Sequence, residues 1–184
     1  MAKARTPRTR WIEAGFDALA NGGPDAVRIE PLAKALAVTK GGFYWYFDDR
    51  EALLEELLST WEHTLVDEVI EQIERDGGDA RGKLEHLFEL AESAEPRGLM
   101  RVELAIRDWA RRDEGVRARL RQVDNRRTEY LRGLYAQFCE GPDDVEARCL
   151  MTMALFVGSR FIAADHGARS RAEVVNHALQ RLVR

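Results

Sequence analysis

An all-α fold is what this 184-residue chain predicts, and three observations predict it. Almost every apolar run recurs with a helical period rather than a two-residue alternation. β-branched residues are few. The runs are separated by glycine- and proline-bearing breaks at Asn21–Pro24, Asp76–Asp79, Glu140–Pro142 and His166–Gly167, with a weaker one at Ser93–Pro96. The pattern divides into a small N-terminal three-helix head, residues 1–47, and a larger helical body, residues 48–184, with a helix from about 49 to 75 linking them.

Thr6 and Pro7 read as the N-cap and first helical residue of the first helix. Ile12, Phe16 and Leu19 then give one apolar face, and Asn21-Gly22 stops the helix. Glu30 and Pro31 open a short second helix with Leu32, Ala33 and Leu36. Thr39 is placed to cap a short third helix in which Phe43 and Phe47, four residues apart, share a face. Asp48 or Asp49 starts the long linking helix, with Leu53, Leu54, Leu57, Trp61, Leu65, Val69 and Ile73 on its apolar side. Next come helices holding Leu84, Leu87, Phe88 and Ala91, then Met100, Leu104, Ile106 and Trp109. A long helix carries Val116, Leu120, Val123, Tyr130, Leu134 and Phe138. Asp143 or Asp144 begins another, almost wholly apolar from Cys149 to Val157, and the last holds Val174, Ala178 and Leu182.

Composition excludes several classes. With 45% hydrophobic and 33% charged residues the chain reads as globular. No window of roughly 18 apolar residues exists to span a membrane, and the basic N-terminus lacks the apolar stretch of a secretory signal. Two cysteines, Cys139 and Cys149, are too few for a disulfide framework, so a cytoplasmic location is expected. The four histidines are dispersed, without metal-ligand spacing, and there is no phosphate-binding glycine loop or nucleophile motif. Neither an enzyme nor a cofactor is expected.

The net charge of −4 conceals an asymmetry: residues 1–50 carry eight basic and six acidic side chains, so the body is the acidic part. Within the head, Glu30–Phe47 is two short helices joined by a tight turn at Ala37-Val38, the layout of a helix-turn-helix whose second helix enters the DNA major groove. Phe43 and Phe47 anchor that helix. Lys40, Tyr44 and Trp45 point elsewhere and offer an ammonium, a phenol and an indole N–H. Gly41 and Gly42 cost about 1 kcal/mol each in helix propensity, and they let the backbone approach DNA closely. An ordinary short helix frayed by glycine reads equally well on periodicity alone. The basic arm, Lys3, Arg5, Arg8 and Arg10, is either a solvated terminus or a source of further phosphate or minor-groove contacts.

The run Val27–Leu57, VRIEPLAKALAVTKGGFYWYFDDREALLEEL, resembles the DNA-binding domain of the tetracycline-repressor (TetR) family of transcriptional regulators. Its most specific part is Val38–Leu54, and the resemblance covers roughly residues 8–60. It implies that Thr39, Lys40 and Gly41 lie where base edges are read. Tyr44 falls at a phosphate or base contact, Tyr46 near phosphate where histidine is usual, and Arg50 and Arg28 at the DNA backbone. Gly42 stands where a small hydroxyl residue is common, Ile29 where threonine often caps the second helix, and Ala37 in place of the usual turn glycine.

The resemblance also implies a homodimer built from the last two long helices. Leu150, Ala154, Val157, Gly158, Phe161 and Ile162 independently form an apolar face with small residues at 154 and 158, and Leu182 is placed with them. A helix apolar on all sides needs burial on all sides, so a second subunit is expected there. A ligand pocket is implied by the family, with Trp61, Phe88, Met100, Trp109, Arg127, Tyr130, Met153 and Phe156 as its candidate lining. Arg127 falls in register with Val116, Leu120, Val123 and Leu134. It is either a structural ion pair, with Asp108 or Asp124, or the contact for an anionic ligand group. The arginines of the 97–132 stretch read as a solvated face with i,i+4 pairing.

The expectation is therefore a sequence-specific regulator, a repressor released from a near-palindromic double-stranded operator by an unknown small molecule. A helical protein-interaction module, or a thiol redox sensor using Cys139 and Cys149, is the alternative.

Overall fold

The computed structural model describes residues 6–93 and 98–184, and no strand occurs among them. Lys3, Arg5 and Arg97, and the break at 94–97, lie outside the described residues. The helices are α1 (Arg8–Gly22), α2 (Ile29–Ala35), α3 (Arg50–Glu62), α4 (Glu68–Asp76), α5 (Ala80–Ser93), α6 (Leu99–Ala110), α7 (Glu114–Tyr135), α8 (Pro142–Gly158) and α9 (Arg171–Leu182). Short 3-10 helices cover Pro24–Ala26 and Lys40–Trp45, and a π turn covers His63–Asp67.

Aspartates supply several starts by accepting an orphan backbone N–H. Asp49 accepts from Ala52 at 2.8 Å, Asp79 from Gly82 at 2.8 Å and Asp113 from Val116 at 3.0 Å. Ser170 and Glu173 form a capping box at α9. α1 begins after Pro7 and α8 at Pro142, both without a side-chain cap. Pro7 is the residue before α1 and not its first helical one, whereas at α8 the fixed φ of Pro142 suits the first position, so α8 starts just before the expected aspartates.

The chain forms two compact units: residues up to Thr64 with Gly98–Leu120, and Leu65 through α5 with Arg121–Arg184. The first unit extends past residue 47 to take in α3 and α6. α1 packs against both α3 and α6, so the head, α3 and α6 share one interior. Trp11, fully buried, meets the edge of Phe43 at 5.4 Å between ring centres, and Phe43 meets Phe47 at 5.2 Å. Each such ring contributes about 1.5–3 kcal/mol by leaving water. Gly15 lets α1 approach α3, for a Cβ there would stand 3.0 Å from Leu57 Cδ2.

The turn between α2 and the Lys40–Trp45 helix is a complete Schellman motif. Val38 N–H donates to Ala33 O at 2.9 Å and Ala37 N–H to Lys34 O at 3.1 Å. Ala37 consequently sits at φ 56°, the left-handed region. A Cβ costs roughly 1–2 kcal/mol there, partly offset by the unfolded-state entropy that glycine adds. Ala37→Gly is therefore expected to raise stability by about 1 kcal/mol, read as a higher urea midpoint at unchanged m-value. An unchanged or lower midpoint contradicts the strain.

The second unit has its own core: Leu84 and Phe88 of α5, Leu131, Leu134 and Tyr135 of α7, Val145 and Cys149 of α8, and Leu179 and Leu182 of α9. Leu182 is thus an interior residue and not part of an exposed dimer face, because α9 turns its Leu179–Leu182 side toward α5 and α8. α8 ends at Gly158, so Phe161 and Ile162 lie beyond the helix expected to carry them. The expected helix from 49 to 75 is helical throughout but interrupted by the π turn at His63–Asp67.

Candidate nucleic-acid interface and cavity

The expected third helix of the head is a six-residue 3-10 helix, Lys40–Trp45. Gly41 and Gly42 disfavour the α form, and Thr39 precedes it without a side-chain cap bond. Phe43 is sealed inside while its neighbours project outward, Tyr44 at 55% and Trp45 at 71% exposure. Thr39, Lys40 and Gly41 are exposed beside them, as is Arg28, and Tyr46 is half-buried.

Neither glycine is required by the fold. Both lie outside the left-handed region, and the nearest atom to an added Cβ would be Thr39 Oγ1 at 3.8 Å for Gly41 and Trp11 Cζ2 at 3.8 Å for Gly42. At the exposed Gly41 space is left on the outer surface of the turn, where a polyanion can come close, whereas Gly42 faces the buried Trp11. Lys40 Nζ stands 3.1 Å from Glu30, but both side chains are mostly exposed. Such a pair contributes well under about 1 kcal/mol and yields readily to a phosphate.

Arg50 has a structural task that its position in the sequence does not announce. Its Nε donates to Val27 O at 2.8 Å and its Nη2 to Pro24 O at 2.6 Å, while Nη1 pairs with Glu51 at 3.0 Å. The guanidinium ties down the loop between α1 and α2. Arg8 is similarly engaged, paired with Glu56 and lying 5.2 Å over the Phe47 ring, and Arg10 pairs with Glu13 at 3.6 Å.

A cavity of about 110 Å³ lies inside the second unit. Of the expected lining it gathers Phe88, Arg127, Tyr130, Met153 and Phe156. Trp61, Met100 and Trp109 line no part of it; they belong to the first unit. The reason for Trp61 is chemical: its Nε1 donates to the buried Glu103 at 2.8 Å. Sequence reasoning misses Val66, Ile70, Thr152 and Arg160 on the wall. Val66 belongs to the π turn, which no hydrophobic period announces, and Arg160 lies just past the end of α8. Arg127 both faces the cavity and stands 3.7 Å from Asp124, so the two readings of it coexist.

Both thiols are free and held toward the protonated form. Burial, first, pushes Cys149 up to about 11. Burial and then a hydrogen bond to Asp144 raise Cys139. Neither forms much thiolate near neutrality, and the thiolate is the reactive species. Burial likewise pushes Tyr135 up to about 12 and, with the bond to Glu74, raises Tyr130. All four are held neutral by folding. Their contribution is whole below the ordinary values of 9.0 for cysteine and 10.0 for tyrosine, and is lost as pH rises through the raised ones. Stability should be flat near pH 8 and fall above about pH 9, read as the urea midpoint against pH. A midpoint that holds through pH 11 contradicts this burial.

An all-helical chain that presents a glycine-backed basic and aromatic turn from a small head, with a separate cavity-bearing unit, has the build of a helix-turn-helix regulator. Residues 12–57 match the family described as bacterial regulatory proteins, tetR family. The match takes in the head from α1 onward and the first part of α3. It is 34% identical over 65 residues to the uncharacterized HTH-type transcriptional regulator TtgW of Pseudomonas putida, a match covering 35% of this chain and 48% of that protein. The likeness thus spans about half the length of that relative.

Solved structures share the fold across nearly the whole chain. A TetR transcriptional regulator from Legionella pneumophila superposes with a TM-score of 0.78 at 14% identity, covering 100% of both chains. A regulator from Saccharomonospora viridis in complex with choline gives 0.74 at 18%, covering 96% of this chain and 94% of that one. FadR of Bacillus subtilis in complex with stearoyl-CoA gives 0.70 at 20%, covering 96% and 98%. These proteins are regulators, not enzymes. No helix among the described residues is long and apolar enough to cross a membrane.

Proposed function

We propose that this protein is a sequence-specific DNA-binding transcriptional repressor, released from a near-palindromic operator by a small molecule held in the second unit's cavity. The observation that carries the DNA reading is the outward Tyr44-Trp45 pair beside Lys40, on a turn whose two glycines the fold itself does not need. Thr39, Gly41, Arg28 and Tyr46 complete the contacting surface, and Arg50 positions it.

The working form is a homodimer. α8 buries Val145, Cys149 and Thr152 and turns Leu150, 70% exposed, with Met151 and Ala154 to the other side. Phe161, 67% exposed, and Ile162 continue that apolar surface beyond Gly158, with Val157 half-buried between them. A two-fold pair of heads reads two half-sites about 34 Å apart. The ligand acts by preferring the DNA-incompetent form, and its differential affinity sets the response.

The test is fluorescence anisotropy of labelled duplex DNA from immediately upstream of the protein's own coding sequence, with excess random DNA present. Binding that survives competitor with two chains per site supports the reading. Binding lost equally to competitor and salt reports only phosphate attraction and counts against it.

A further inference from the structure

The wall of the second unit's cavity is apolar in all but a few places, and its charged side chains are both cationic. Arg127 and Arg160 line it, and among the described residues no aspartate or glutamate does. Arg127 is fixed there: its side chain is 11% exposed, and its guanidinium lies 5.4 Å over the Phe156 ring, with Asp124 3.7 Å away. Two of the wall's three hydroxyls are committed elsewhere, Ser159 being the third. Thr152 Oγ1 pairs with the Tyr135 phenol at 2.8 Å, and the Tyr130 phenol donates to Glu74 at 2.8 Å. Among the described residues, the charged recognition this cavity offers is cationic, with the Ser159 hydroxyl beside it.

A guanidinium at an apolar wall favours an anion that can accept two parallel N–H bonds, which a carboxylate does. Size narrows the class further. The cavity holds about 110 Å³, and apolar cavities of roughly 150 Å³ take up benzene. The two volumes are of the same order, so the apolar space matches a single ring better than a long acyl chain.

We propose that the occupant is a compact organic anion, an aromatic or alicyclic monocarboxylate. Its ring fills the apolar space beside Phe88 and Met153, and its carboxylate pairs with Arg127, with Arg160 as the second cation. The proposal rests on the reading of this cavity as the effector site and gives that effector its chemistry.

Calorimetric titration of the full chain tests it with 4-ethylbenzoate, the neutral isostere 4-ethylbenzamide, benzene and hexadecanoate. The acid is expected to bind ten- to a hundredfold tighter than the amide, on the order of what charge-assisted bonds add. In Arg127→Gln that preference should collapse while the amide binds as before, which shows the cavity intact, and Arg127→Lys should restore part of it. Equal binding of acid and amide to the unaltered protein, or tighter binding of hexadecanoate than of the ring acid, overturns the proposal and leaves the cavity reading standing. If none of the probes binds, benzene included, both fall.

Discussion

Arg107→Ala is expected to lower the unfolding free energy by about 3–5 kcal/mol. Glu103 is 0% exposed, and its carboxylate is met on one side by Arg107 Nε and Nη2, both at 2.8 Å, and on the other by Trp61 Nε1 at 2.8 Å. The fork-on-carboxylate geometry joins neighbouring turns of α6, and the indole bond ties α6 to α3. Removing the guanidinium leaves a buried charge without its main counter-charge, and that loss exceeds the net worth of the pair. Arg112→Ala is the control: its partner Asp108 stands 2.7 Å away, but both side chains are largely exposed. It should cost less than about 1 kcal/mol. Urea unfolding of the three proteins decides the matter, and equal losses for the two variants contradict it.

Lys40→Ala, Tyr44→Ala and Trp45→Ala are each expected to weaken operator binding by about 1–3 kcal/mol, roughly five- to a hundredfold or more. Melting temperature should not move, because all three side chains project from the head. Lys40→Ala should also reduce the salt dependence by about one counterion if it meets phosphate. Arg50→Ala should behave differently, lowering stability as well as binding, because it releases the Pro24 and Val27 carbonyls. Unchanged affinity in Lys40→Ala and Tyr44→Ala together would remove the turn from the interface.

The contrast between Arg50 and Lys40 also shows what the sequence makes legible. The helical period of apolar residues predicts nearly every helix, since amphipathic burial is local in sequence. The packing of Phe43 and Phe47 is readable from their spacing. The task of Arg50 is not, because its acceptors lie 26 and 23 residues away on a loop. The π turn at His63–Asp67 is hidden for a related reason: one added residue per turn leaves no mark on composition. Without it, Trp61 reads as continuous with Leu65 and Val69, whereas they fall in different units. Ser170 and Glu173 do carry a legible capping signature. Arg127 stands out in the sequence as a charge in an apolar register, but spacing alone does not show that its neighbours enclose a cavity.

The head, on this reading, recognises sequence and not merely charge. Selection of binding sites from a random duplex library by the full-length protein, with bound DNA sequenced over successive rounds at about 0.15 M salt, tests that most directly. The expected result is enrichment of one near-palindromic motif with half-sites about one helical turn apart, and loss of that enrichment in the Lys40→Ala, Tyr44→Ala double variant. A pool that stays random while still binding would contradict it.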